Sequence, residues 1–162
     1  MKRKRKIYLD TSVISHLDAT DVPDKMADTW RLWYRLEKGF DFEVVISPVV
    51  QKEIFQCYES KRSQMVVWLD SIDHQELPET EDVLDMAEEF INFGILSPKH
   101  FDDVLHIAYA VSAGCDCVVS WNFKHFVNVT TLDKVNAVNL VNGYPPIKIV
   151  SPTMLIEGDS HE

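Results

Sequence analysis

The chain switches repeatedly between two hydrophobic periods. Compact apolar runs of strand type occur at Ile7-Tyr8-Leu9, Phe42 to Ile46, Cys115 to Ser120 and Ile147 to Val150, with a short extended piece at Gln75 to Leu77. Between them, apolar residues recur every three or four positions, as helices require. These stretches are Val13, Ile14 and Leu17; Met26, Trp30 and Trp33 flanked by Leu32 and Leu36; Met65 to Ile72; Val83 to Ile91; and Phe101 to Val111. Thr131 to Val138 is more weakly helical. Ser47-Pro48 and Thr80 mark helix starts, and Gly39, Gly94 and Gly114 mark helix ends. Strands alternating with helices predict a mainly parallel sheet sandwiched between helices.

Composition adds boundaries to this picture. At 162 residues with 46% apolar and 26% charged residues, the chain suits one globular unit with a substantial core. We divide it into a basic arm (1–6), one domain (7–152) and, from the break at Ser151-Pro152, a polar tail (153–162). No apolar run approaches the about 18 residues of a membrane span, and the basic start lacks the apolar region of a signal peptide. A cytoplasmic location without membrane contact is expected. Cys57, Cys115 and Cys117 fit neither a disulfide framework nor a usual zinc spacing, so packing is their expected role.

Charge is unevenly spread. The net charge is −10, yet Lys2 to Lys6 are five consecutive basic residues; without them 11 basic residues face 26 acids, a balance of −15. Such a surface repels a polyanion unless cations intervene. The arm reads either as a solvated terminus or as a phosphate contact.

Against this background three acids lie in unexpected places. Asp10 ends the first strand and precedes Thr11-Ser12, whose hydroxyls suit a helix start, so it sits at the carboxyl edge of the sheet, where open α/β folds bind ligands. The alternative is a solvated or capping acid. Glu53 aligns with Val49 and Cys57 on an apolar stripe, where a carboxylate is costly unless it is paired or binds a metal. Asp103 aligns with Ile107 and Ala110, whereas Asp102 aligns with His106 and Tyr109 on what reads as a more polar side. Both acids also suit a helix N-terminus electrostatically. His106 reads as a hydrogen-bonded helix residue, because no second His or Cys is in register with it.

Carboxylates that converge need a counter-charge, and a divalent cation supplies one. Oxygen ligands without Cys or imidazole select Mg2+ or Mn2+ over zinc, and such ions retain water and bind phosphate. Hydrolysis of a phosphodiester is the chemistry this set can perform. No P-loop, dinucleotide-binding glycine pattern or G-x-S-x-G is present.

Taken in order, these segments resemble the PIN domain, the nuclease family that includes VapC-type toxins. Tyr8-Leu9-Asp10-Thr11-Ser12 is similar to its first motif, Ser47 to Ile54 to its second and Asp103 to Ala108 to its third. Ser120-Trp121-Asn122-Phe123-Lys124-His125-Phe126 is similar to the fourth, and Tyr144 to Pro152 to a common closing strand. The resemblance implies a three-layer α/β/α sandwich in which Asp10, Glu53 and Asp103 bind Mg2+ or Mn2+ and cleave RNA. Thr11, Ser12, Ser120 and Asn122 are supporting candidates, with Ser120 or Asn122 orienting water. Many PIN domains carry Asp where this chain has Asn122; the lost charge weakens a second metal site more than the first.

The expected function is therefore a metal-dependent endoribonuclease, the toxin of a type II toxin–antitoxin pair. Its expected partners are RNA, by analogy an antitoxin protein, and a second copy of the chain; Trp30 and Trp33 read as core or interface anchors, and they or the tail from Met154 are the candidate contact surface. The alternative is a PIN-like RNA- or protein-binding module with little or no catalysis; a phosphatase of small esters is a third reading.

Overall fold

The computed structural model describes residues 3–122 and 129–158. Lys2, the Phe123-Lys124-His125-Phe126 part of the fourth motif and residues 159–162 therefore lie outside the described residues.

Five strands form one sheet: β1 (Arg5–Leu9), β2 (Phe42–Ile46), β3 (Gln75–Glu76), β4 (Cys117–Val119) and β5 (Lys148–Val150). Their spatial order is β3-β2-β1-β4-β5, and each pairing is parallel. A strand covered on both faces can be apolar without alternation. Ile7, Tyr8 and Leu9 on the central strand are fully buried, as the run in the sequence requires.

The strand order dictates the layers. The path from β1 to β2 runs through α1 (Thr11–Ser15) and α2 (Pro23–Lys38), and that from β2 to β3 through α3 (Pro48–Phe55) and α4 (Glu59–Asp70). The chain then crosses to the other side of β1 through α5 (Glu81–Asn92), a 3-10 turn (Pro98–His100) and α6 (Phe101–Ser112), and reaches β5 through α7 (Val129–Val141). Right-handed crossovers in opposite directions put α1 to α4 on one face and α5 to α7 on the other, giving three layers. Asn142, at the end of α7, donates to Glu89 of α5, tying the second helical layer together. Because the order reverses between β1 and β4, their carboxyl ends border an open crevice, the switch point at which such sheets bind ligands.

Local signals explain the helix ends. Ser47 Oγ accepts from Val49 N–H and Pro48 occupies the first helical position of α3. Thr80 Oγ1 accepts from Val83 N–H at the start of α5. Gly39 closes α2 with φ 72°, a left-handed conformation that side chains with a Cβ resist.

Two expectations about the surface change. Trp33 is fully buried and its indole donates to Ser71 Oγ, so it belongs to the core rather than to a partner surface. Trp30 is half-buried, donates to the Leu17 carbonyl and packs edge-on against Trp68. The segment after Ser151, expected to be a polar tail, forms helix α8 (Pro152–Gly158). Leu155 is buried, and Thr153 Oγ1 donates to Asp28 of α2 over 2.6 Å. Buried Pro152 and Leu155, the partly buried Ile156 and this hydrogen bond dock the segment.

Among the described residues no helix is long and apolar enough to cross a membrane. Cys115 and Cys117 are buried free thiols, and burial pushes them up to about 12 and about 11 respectively. They are packing residues, as their spacing suggested.

Candidate metal centre

Asp10 follows β1 directly, and its backbone N–H donates to the Val119 carbonyl, which fixes it beside the end of β4. Its extended backbone makes it the N-cap residue of α1, yet its side chain caps nothing. The carboxylate instead accepts from Ser12 Oγ and Ser120 Oγ, each over 2.7 Å, through the same oxygen, Oδ2. Ser12 Oγ also accepts from Trp121 N–H and Ser120 Oγ from Asn122 N–H, both over 2.9 Å. Two hydroxyls thus anchor the loop after β4 onto one carboxylate oxygen, leaving Oδ1 to face His106 Nε2 at 3.3 Å.

Glu53 reaches the same point from α3. Thr11 Oγ1 donates to its Oε1 over 2.9 Å, and its side chain, 31% exposed, stands at the open side of the cluster. Among the described residues the partner of this acid is an imidazole rather than the buried Arg or Lys that an acid on an apolar stripe invites.

That imidazole is His106, and its position corrects the reading of α6. Val104 to Val111 are all buried, including His106 and Tyr109, so only Asp102 of the supposed polar side faces outward. Helical periodicity cannot tell which flanks of a helix its neighbours cover, and here α5 covers one flank while the sheet and α3 cover others. His106 Nε2 lies 2.5 Å from Glu53 Oε1 and 3.3 Å from Asp10 Oδ1. On the other side of the ring, Nδ1 is 2.6 Å from Tyr8 OH, which is 2.7 Å from Ser47 Oγ. A signal did exist in the sequence: Tyr8 and Ser47 are polar atoms in otherwise apolar positions, and each needs a buried partner.

Burial opposes protonation of His106, but the hydrogen bond to Glu53 and the negative fields of Asp10, Glu53 and Asp103 outweigh it, so its pKa is raised above the usual 6.5. Burial raises the Tyr8 phenol well above 10.0, so it keeps its proton.

The other candidates spread around this core. Asp103 lies 3.5 Å from His100 Nδ1 and adds its negative field at His106. Asp102 pairs with Lys52 at 3.0 Å on the surface. Asn122 is half-buried and tied through its backbone to Ser120. Beside this loop, Trp121 donates to Thr29 Oγ1, lies against His16 and carries Lys25 over its ring.

A divalent cation fits the donor set. One ligand atom each from Asp10, Glu53 and His106 lies within 4.8 Å of the others, two of the three residues are buried, and Asp103 is outside this group. Two carboxylates carry the charge a dication would balance. The imidazole changes the expected donor set from all oxygen to mixed oxygen and nitrogen.

The fold has a solved counterpart. A chain of VapBC2 from Rickettsia felis, in a crystal structure bound to a DNA fragment from their promoter, superposes with a TM-score of 0.57 at 15% identity, covering 90% of this chain and 98% of that one. This likeness makes the α/β/α architecture PIN-like. No family model and no curated protein matches the sequence.

Proposed function

We propose that the chain is a divalent-metal-dependent endoribonuclease of the PIN type and the toxin of a type II toxin–antitoxin pair. The observation that carries this reading is the meeting of Asp10, Glu53 and His106 at the switch point of a PIN-like sheet, with ligand atoms within 4.8 Å. Asp10, Glu53 and His106 would hold the cation. A bound Mg2+ or Mn2+ supplies Lewis acidity toward water and the leaving oxygen of a phosphodiester.

The protein's own groups do the rest. Ser12 and Ser120 occupy Oδ2 of Asp10 and so leave Oδ1 facing the other two ligand candidates. Thr11 steadies Glu53. Asp103 adds negative field without joining the ligand group, and Asn122 offers an amide to a substrate oxygen but no charge for a second ion. The exposed side of Glu53 is where an RNA strand would enter, and neutralisation of the acids by a cation lets the polyanion approach. An antitoxin partner rests on the resemblance of the motifs to VapC-type toxins and on the VapBC2 neighbour.

The test is cleavage of single-stranded RNA by the purified full chain. Turnover with Mn2+ or Mg2+ that is lost in excess EDTA and in Asp10→Asn supports the reading; cleavage that survives either one overturns it. A binding module without catalysis is favoured by a different observation, the His106 contact with both acids, which supplies an internal counter-charge. Metal-dependent turnover that Glu53→Gln abolishes excludes that alternative.

A further inference from the structure

Behind the acids runs a buried row of hydrogen-bonding groups that the hydrolytic reading does not use. Ser47 Oγ, Tyr8 OH and His106 Nδ1 are joined by contacts of 2.7 and 2.6 Å, and they connect α3, β1 and α6 in the interior. A phenol has one proton and here two partners, so it donates to one and accepts from the other. With Tyr8 OH between Ser47 Oγ and His106 Nδ1, the row has two directions.

In one direction Ser47 donates to Tyr8 and Tyr8 to Nδ1, which puts the ring proton on Nε2, facing Glu53. In the other, Nδ1–H donates to Tyr8 and Tyr8 to Ser47, which leaves the Nε2 lone pair facing the two carboxylates. Converting one into the other releases the Nε2 proton to solvent and takes one up at Nδ1 while the two hydroxyls turn, so the exchange needs no movement of heavy atoms. Ser47 Oγ already accepts from Val49 N–H at the start of α3, which holds that end of the row in place.

We infer that Tyr8 and Ser47 are positioning residues that present Nε2 of His106 as the nitrogen ligand of the cation site, so that the site prefers Mn2+ to Mg2+. This deepens the proposed metal-dependent reading and rests on it. The ion preference follows from the donor set. Mg2+ is hard and favours oxygen and water, whereas an imidazole is tolerated better by Mn2+. Outer partners of a ligating His fix its tautomer and ring plane, and their loss costs about 10–100-fold in metal affinity.

The experiment is pulsed electron paramagnetic resonance of Mn2+ on the full-length chain, together with Mn2+ and Mg2+ titrations of wild type, Tyr8→Phe, Ser47→Ala and Ser47→Thr. The expected result is a nitrogen coupling in the wild type that His106→Gln removes. Tyr8→Phe raises the Kd for Mn2+ about 10–100-fold and narrows the preference over Mg2+. Ser47→Ala acts in the same direction, and Ser47→Thr, which keeps the hydroxyl, restores the preference. Absence of Mn2+ binding, bound Mn2+ without nitrogen coupling, or an unchanged ion preference in a natively folded Tyr8→Phe overturns the inference. Should Tyr8→Phe not fold, Ser47→Ala and the wild-type coupling decide. Mn2+ held through His106 without any RNA cleavage supports this inference and overturns the nuclease reading.

Discussion

His106 Nε2 and Glu53 Oε1 lie 2.5 Å apart, a contact between a fully buried imidazole and an acid from a helix of the opposite layer. Its first consequence is a pH dependence of the metal-free protein. Burial works against the imidazolium, but Glu53, Asp10 and Asp103 raise the pKa above 6.5, so the folded chain binds this proton more tightly than the unfolded one. The resulting stabilisation is complete below pH 6.5 and is lost as pH rises through the folded value. His16 has a lowered pKa, chiefly from burial, and acts in the opposite sense below 6.5. Urea midpoints in EDTA should therefore fall with pH from 6.5 upward in the wild type and stay flatter in His106→Gln. A wild-type midpoint that rises across that window contradicts the assignment.

Ser120 offers a sharper test of how Asp10 is aimed. Its hydroxyl donates to Asp10 Oδ2 and accepts from Asn122 N–H, so one atom couples the carboxylate to the loop after β4. Ser120→Ala should cost about 1 kcal/mol of stability and weaken Mn2+ binding about 10-fold. Calorimetric titration with Mn2+ beside thermal melts separates the two effects. An unchanged Mn2+ affinity would mean that Ser12 alone suffices to orient Asp10.

Much of this arrangement could be read before any coordinates, and the reasons are local. An apolar run covered on both faces identified β1, and the acid after it had to lie at the carboxyl edge. The N-cap and proline at Ser47-Pro48 fixed the start of α3 and hence the phase of Glu53. His106 reads as a hydrogen-bonded helix residue and is one, but its place beside the acids was not legible because its partners, Tyr8 and Glu53, are 98 and 53 residues away, and nothing local announces a contact of that range. The last helix was missed for a different reason. Ser151-Pro152 repeats the pattern of Ser47-Pro48, and Ser151 Oγ accepts from Met154 N–H as a cap does, but the polar composition beyond it suggested an open tail.

The docking of that helix leads to a third prediction. Leu155 is 2% exposed, and α8 lies against α2. Truncating a buried Leu removes its transfer free energy and leaves a cavity, at about 2–4 kcal/mol in an ordinary core. Leu155→Ala should fall near the lower end, about 2 kcal/mol, because a short terminal helix can relax around the loss. Urea denaturation of Leu155→Ala measures it, and a midpoint equal to wild type would show that the helix adds nothing to the folded core.

Asp102 and Asp103 are neighbours in sequence with different surroundings, and substituting each in turn separates surface charge from site charge. The Lys52–Asp102 pair has side chains 53% and 44% exposed, and an ion pair so open to water contributes little. Asp102→Asn should leave stability within about 0.5 kcal/mol and RNA cleavage close to wild type. Asp103 is 20% exposed, pairs with His100 and acts on His106 through its field. Asp103→Asn should therefore lower cleavage clearly, yet less than Asp10→Asn, whose carboxylate lies inside the ligand group. Cleavage rates of the three variants at saturating Mn2+ supply the order. If Asp103→Asn proves as damaging as Asp10→Asn, Asp103 must move into the ligand group when the cation binds, and its contact with His100 must open to release it.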